Sequence, residues 1–189
     1  MIRRTTWILL AIFALLLGVT FYLKRNPIEG QSEDLLPTPA PLLISFDPLG
    51  ETATLRLRDA EGREVVLQRR ERDSWLVEGE PPRPADALTV MQGLNQLAAL
   101  QVLSPVEADV PVSALGLAPP QARLEFDLTD GRRVTLSVGA LTPVGTGYYL
   151  QMDDAPPVVV EKYPLDGVLA WLDAPPYAPE PPPDAPPAP

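Results

Sequence analysis

The chain contains neither cysteine nor histidine in its 189 residues. The first absence rules out disulfides, thiol nucleophiles and cysteine metal sites. The second removes the commonest general base at neutral pH and a principal zinc ligand, and with it every Ser-His-Asp arrangement. Lack of cysteine leaves the redox compartment open, because a chain without thiols is indifferent to it. Basic charge is also scarce, with 15 Lys and Arg against 25 Asp and Glu and a net charge of −10. Arg3, Arg4, Lys24 and Arg25 lie in the first 25 residues, which hold no acid, so 11 basic face 25 acidic residues beyond them, a charge of −14. A body that acidic repels phosphate backbones and anionic lipid surfaces, and nucleic acid is excluded as an expected partner.

What is present begins with a long apolar run. Trp7 to Leu23, WILLAIFALLLGVTFYL, is uncharged over 17 residues, and as a helix it spans roughly 25 Å at about 1.5 Å per residue. With Arg4 and Lys24 snorkelling and Trp7 and Tyr22 at headgroup level, the run predicts a single transmembrane helix embedded in the lipid bilayer within an N-terminal anchor, residues 1–25. A cleaved signal peptide needs small residues after the apolar run, whereas this one ends in Phe21, Tyr22 and Leu23. A short basic N-terminus before a first helix stays in the cytoplasm, so the following domain is expected outside it, in the periplasm or at the cell exterior of a bacterium.

Residues 26–41 mix Asn, Pro, Gly, Ser and acids with little apolar periodicity and read as a linker. Residues 174–189, APPYAPEPPPDAPPAP, read as a solvated, disordered proline-rich tail, because proline removes the backbone donor and fixes φ. Residues 42–173 form the expected domain, and they repeat. ATLRLRDAEGREVVLQ at 53–68 aligns without a gap on ARLEFDLTDGRRVTLS at 122–137, an offset of 69 that matches Ala53 with Ala122, Leu55 with Leu124, Gly62 with Gly131, Arg63 with Arg132, Val65 with Val134 and Leu67 with Leu136. Each copy alternates apolar and polar residues about a Glu-Gly or Asp-Gly pair, the pattern of an antiparallel hairpin with one wet face. Leu55, Leu57, Val65 and Leu67 are expected inward in the first, and Leu124, Phe126, Leu128, Val134, Leu136 and Val138 in the second.

An aromatic strand follows each hairpin, WLVE at 75–78 and GYYLQM at 147–152, and then a helix. In the first copy the helix spans 84–100, with Leu88, Met91, Leu94 and Leu97 on a stripe joined by Val90 and Leu100. The second copy inserts a strand at 157–162 before a shorter helix at 164–173. A strand at 101–107 and a turn or short helix at 110–115 join the copies, and a strand at 42–47 opens the domain. The expected architecture is α+β: antiparallel hairpins with helices packed on one face, two degenerate repeats at about 42–107 and 108–173, preceded by one transmembrane helix.

Several segments together resemble the domain of unknown function 4340 family: SWLVEGEPPRPAD around Trp75, GLNQLAALQVLSP, and LGLAPP followed by the Asp-Gly hairpin and VGALTPVGTGYY. The resemblance covers about residues 42–173. It implies an N-terminal membrane helix and, by association with gliding-type or ABC-type export components, an accessory role in the cell envelope. It carries over no catalytic residue, and the chain is shorter than multi-copy members.

Candidate sites read mostly as structure. Thr142 to Gly147 before Tyr148 and Tyr149 is glycine-rich but lacks the lysine and ensuing helix of a phosphate loop, so it reads as a hairpin connection, with a binding loop as the alternative. Strand alternation places Tyr148 and Tyr149 on opposite faces, one core and one exposed, while Trp75 and Trp171 are expected in the core. Asp153 and Asp154 precede Ala155-Pro156 in a turn, where they point apart and do not make a calcium site. Glu125, Asp127 and Asp130, the acids available for a catalytic pair, fall on the wet side or turn of a hairpin. Arg69, Arg70 and Arg72 beside Glu71 and Asp73 read as a charged strand end. No catalytic residue, cofactor or metal site is therefore assigned. The expected function is that of a non-enzymatic interaction or accessory module of the envelope, its partner an envelope or transporter protein. The alternatives are a small-ligand or glycan sensor, a carboxylate-dependent hydrolase using a cleft between the repeats, and a spacer that projects the tail. Full-length protein is expected to stay in the membrane pellet through alkaline washing and to dissolve in detergent. Free solubility at full length would remove the anchor.

Overall fold

The computed structural model describes residues 41–71 and 74–180. The run Trp7–Leu23 and the linker up to Ala40 lie outside them, and among the described residues no helix is long and apolar enough to cross a membrane. Helix α1 (Pro48–Glu51) is followed by strands β1 (Thr52–Asp59), β2 (Glu64–Glu71), β3 (Ser74–Val77) and β4 (Arg83–Pro84), then helix α2 (Ala87–Ala98) and β5 (Val102–Pro105). The second half holds β6 (Ala122–Leu128), β7 (Arg133–Leu141), β8 (Gly147–Met152), β9 (Val158–Glu161), α3 (Lys162–Leu169) and a 3₁₀ turn, Ala170–Leu172. Among the described residues the fold is α+β, with one nine-stranded antiparallel sheet ordered β4-β3-β2-β1-β6-β7-β8-β9-β5.

The two hairpins are the same object twice. Leu55 pairs Leu67 across β1 and β2, and Leu124 pairs Leu136 across β6 and β7, so the offset of 69 carries one register onto the other. Their turns match as well: Gly62 N–H donates to the Asp59 carbonyl and Gly131 N–H to that of Leu128. Both glycines sit at positive φ, +87° and +86°, where a Cβ would be strained. The hairpins meet through β1 and β6, Leu55 opposite Phe126 and Leu57 opposite Leu124, which makes one continuous sheet from two halves.

One face of this sheet is apolar. Leu55, Leu57, Val65, Leu67, Leu124, Phe126, Leu128, Leu136 and Val138 are buried, and Val134 packs against them partly covered. They share a single cluster with Val90, Leu94 and Leu97 of α2, Leu165 and Val168 of α3, Trp75 and Trp171. The helices therefore cover that face, and each fully buried leucine contributes about 1.5–3 kcal/mol. Asp86 caps α2, accepting from Leu88 N at 3.2 Å and from the Thr89 hydroxyl at 2.6 Å.

Several expectations need correction. Residues 42–47 are not a strand: Leu42 makes one bridge to Gln101, Ile44 is buried, and Phe46 packs edge-on against Phe126 at 5.4 Å. The buried stripe of α2 is Val90, Gly93, Leu94 and Leu97, while Leu88 and Met91 are exposed. The stripe is rotated because Gly93 is the contact point where Trp171 and Val168 press on the helix. The second helix starts earlier and ends sooner than predicted, closing in the 3₁₀ turn that holds Trp171. The strand ascribed to the second copy alone has a short counterpart in β4, which pairs with β3 as β9 pairs with β8. The strand begun at Gln101 ends at Pro105.

The proline-rich segment is also not wholly solvated. Residues 174–180 run beside β4: Tyr177 bridges Ala85, Asp86 N–H donates to Pro176, and Ala178 N–H donates to Pro84. The Arg83 guanidinium lies 3.9 Å over the Tyr177 ring. Proline-rich composition forbids ladder donors at each proline, but Tyr177 and Ala178 keep theirs. Residues 181–189 lie outside the described residues.

A Cβ on Gly93 would enter the Trp171 ring and stand 3.2 Å from Val168 Cγ2. Gly93→Ala is expected to lower stability by about 1–3 kcal/mol through overpacking. In urea unfolding the loss should shrink when Trp171→Leu is added, and two independent, additive losses would show that this contact does not hold the helices together.

Candidate functional site

The face of the sheet away from the helices carries the polar members of each alternation. Where β1 meets β6, Arg56 stands opposite Glu125. These residues are 69 apart, the repeat offset, so each occupies the other's position in the second copy and the pair marks the pseudo-twofold axis. Arg56 Nη1 lies 3.5 Å from Glu125 and Nε 3.3 Å from Glu64. Both bridges are partly solvated and worth no more than about 1 kcal/mol. They fix which strands face each other more than they stabilise the sheet.

One step along β1, Arg58 is directly opposite Arg123. Both side chains are exposed, and among the described residues neither takes part in an ion pair. Like charges directly across a sheet destabilise it. They line an open groove of about 640 Å³ together with Val66, Pro119 and Pro120 and with Asp59, Glu64, Glu78 and Glu125, of which Glu64 is the cross-strand partner of Arg58. Val66 is buried although it belongs to the outer face. The groove thus sets two guanidiniums that form no ion pair among the described residues beside four acidic residues and buried Val66, across the junction of the two repeats. On the helix side the same junction is filled, with Leu55, Leu57, Leu124 and Phe126 fully buried.

A second hollow of about 590 Å³ opens between the β1–β2 turn and α3. Tyr148 donates its hydroxyl hydrogen to Asp166 at 2.8 Å, and Lys162 pairs the other Asp166 oxygen at 3.5 Å. Across it, Arg63 bridges Asp59 at 2.5 Å and Asp173. Burial raises the Asp59 carboxyl, but hydrogen bonds from the Arg63 backbone and side chain outweigh it and hold the group below the ordinary carboxylate range. Burial, then the Asp166 hydrogen bond and charge, push the Tyr148 phenol up to about 12.

The residues weighed from sequence fall as follows. Thr142–Gly147 is the β7–β8 connection, closed by Thr142 N–H to the Gly147 carbonyl at 2.8 Å and by Gly145 at φ +72°. Tyr148 turns toward the helices and Tyr149 to the opposite face, and both are half-buried rather than divided between core and solvent. Trp75 and Trp171 are core. Asp153, at φ +47°, accepts from Thr135 N–H at 2.8 Å through its carboxylate. It terminates the β7–β8 ladder in that role. Glu125, Asp127 and Asp130 are each engaged by an arginine, Arg56, Arg133 and Arg132, at 3.5, 2.6 and 2.5 Å. Hydrogen bonds from Arg132 hold the Asp130 carboxyl below its usual range.

Arg69 departs from the expected charged strand end. Its guanidinium lies 4.8 Å over the Trp75 ring and donates to the carbonyls of Gly50, at 2.9 Å, and Leu49. It thereby satisfies the last carbonyls of α1. Arg70 is exposed, and Arg72 and Asp73 lie outside the described residues. Arg58 and Arg123 were not singled out by sequence, since nothing there places β1 beside β6.

No family model matches the sequence, and no curated protein or solved structure matches it either.

The ordinary phenol value is 10.0 and that of folded Tyr148 about 12, so above the first value the unfolded chain releases a proton that the folded chain retains. Stability is intact below that window and falls as pH rises through it. Tyr148→Phe should flatten this decline. Absorbance titration should show one of the five tyrosines ionising late and that step vanishing in the variant. A uniform titration would place the phenol in ordinary solvent.

Proposed function

We propose that this chain is a membrane-tethered, non-enzymatic interaction module of the cell envelope, related to the domain of unknown function 4340 family. Trp7–Leu23 anchors it across the bilayer, and the domain stands on the extracytoplasmic side. Its partner is another envelope protein, an ABC-type export component by that resemblance, which presents carboxylates to the groove at the repeat junction. The observation that carries the reading is the opposed pair Arg58 and Arg123, both exposed and outside any ion pair among the described residues, in a body of net charge −14. An acidic partner segment pairs the two guanidiniums directly, and Val66 accepts a neighbouring side chain. The engagement of Glu125, Asp127 and Asp130 by Arg56, Arg133 and Arg132 supports a role in recognition over one in acid–base chemistry, because it occupies these carboxylates with surface ion pairs.

The test separates binding from folding. Arg123→Glu places an acid opposite Arg58, which should leave the domain equal in stability or firmer by about 0.2–1 kcal/mol. The same change should weaken capture of the envelope partner at least tenfold, about 1.4 kcal/mol or more. Cross-linking of full-length protein in native membranes, wild type against variant, provides the readout. Recovery of the wild-type protein alone at several salt concentrations would sink the proposal, as would capture indifferent to Arg123→Glu.

A further inference from the structure

A separate surface lies at the end of the sheet where β7 finishes. Val144 and Tyr163 are 79% and 78% exposed, Leu42 59% and Leu141 42%. The strand registers bring these four side chains to the same end. Leu141 closes β7 and pairs Tyr148, and Val144 tips the following turn. Gly147 pairs Glu161, after which Lys162 N–H donates to the Thr146 carbonyl and α3 begins with Tyr163 beside it. Val102 pairs Val160, and Leu42 bridges Gln101 just before it. The sequence between Arg133 and Asp153 contains no charged residue, so the two strands and turn that carry this end are neutral within a strongly acidic body.

The chain joins the domain at this same end, since the Pro41 carbonyl accepts from Val102 N–H at 3.0 Å. Seventeen residues, Lys24 to Ala40, separate Pro41 from the apolar run that ends at Leu23. Fully extended they reach no more than about 60 Å, and as a flexible chain their mean span is about 20–25 Å. We propose that this apolar end docks onto the headgroup layer of a net-neutral bilayer, a reading that rests on Trp7–Leu23 being the anchor. Four side chains make a weak contact by themselves, but the tether turns the contact into an intramolecular event at an effective concentration of order millimolar. Tyr163 suits the headgroup level, where an apolar ring and a polar hydroxyl are both accommodated. Glu161 and Lys162, of opposite sign, immediately precede it and match zwitterionic lipid. The charge of −14 on the body beyond residue 25 disfavours an anionic leaflet.

Because the chain has no cysteine, Val144→Cys, Tyr163→Cys and Thr129→Cys each give a unique labelling site. Thr129, in the β6–β7 turn, is exposed at the opposite end of the sheet. Full-length protein carrying an environment-sensitive dye at each site is reconstituted into phosphatidylcholine vesicles and purified by flotation. The expected result is at least fivefold weaker quenching by aqueous iodide at positions 144 and 163 than at 129, with strong quenching there by headgroup nitroxide lipid. Equal iodide quenching at all three sites in floating protein overturns the docking and leaves the anchor standing. Shielding from iodide without nitroxide quenching identifies a protein contact and overturns the lipid assignment, as does shielding that strengthens when phosphatidylserine is added. Protein that fails to float with the vesicles overturns the anchor, and the docking with it.

Discussion

The pairing of β1 with β6 is the contact on which the rest of the domain depends. Each hairpin has one greasy face and one wet face, and a lone two-stranded ribbon with that pattern is marginal in water. Setting the ribbons side by side doubles the apolar area and gives two helices one surface to cover. Leu55 and Phe126 meet there fully buried, so the seam between the repeats is itself part of the hydrophobic core. A slip of one residue at this seam would turn Leu55 and Leu57 outward and bring Arg56 into the core. The complementary Arg56–Glu125 pair on the opposite face opposes that slip. Register is thus specified twice, by packing below and by charge above.

The pseudo-twofold relation also explains why the outer face is uneven. A true twofold would set identical residues against each other at the axis, and two arginines or two glutamates there would repel. The repeats have diverged so that the axial position holds one of each sign. Divergence one step away has the opposite sense: Arg58 faces Arg123, while the related pair is Thr54 and Asp127. Symmetric backbone with asymmetric side chains thus sets Arg58 and Arg123 on one side of the axis and Thr54 and Asp127 on the other.

The backbone plan was largely legible because it rests on period. Alternation about Glu61-Gly62 and Asp130-Gly131 marked both hairpins with their inward residues, and Trp75 and Trp171 read as core by size. What escaped was set by tertiary contact. Gly93 looks like a flaw in an amphipathic helix, and its role appears when Trp171 arrives from a segment far along the chain. Arg69 reads as surface charge until α1 supplies carbonyls and Trp75 a ring for it. Leu42 to Asp47 has strand composition, yet Ile44 and Phe46 are used as plugs for the core. The groove was illegible for a different reason. Arg58 and Arg123 are ordinary wet-face residues of separate hairpins, and their juxtaposition is a property of strand order, which local pattern does not encode.

Both margins of the sheet are covered by segments at the limits of the domain. Pro41 to Leu43 lies along the start of β5, and Ala174 to Glu180 along β4. Open strand margins offer unpaired amides to any neighbour of the same kind. By folding these segments over its own margins the domain leaves fewer free amides there and blunts ribbon-like stacking between copies.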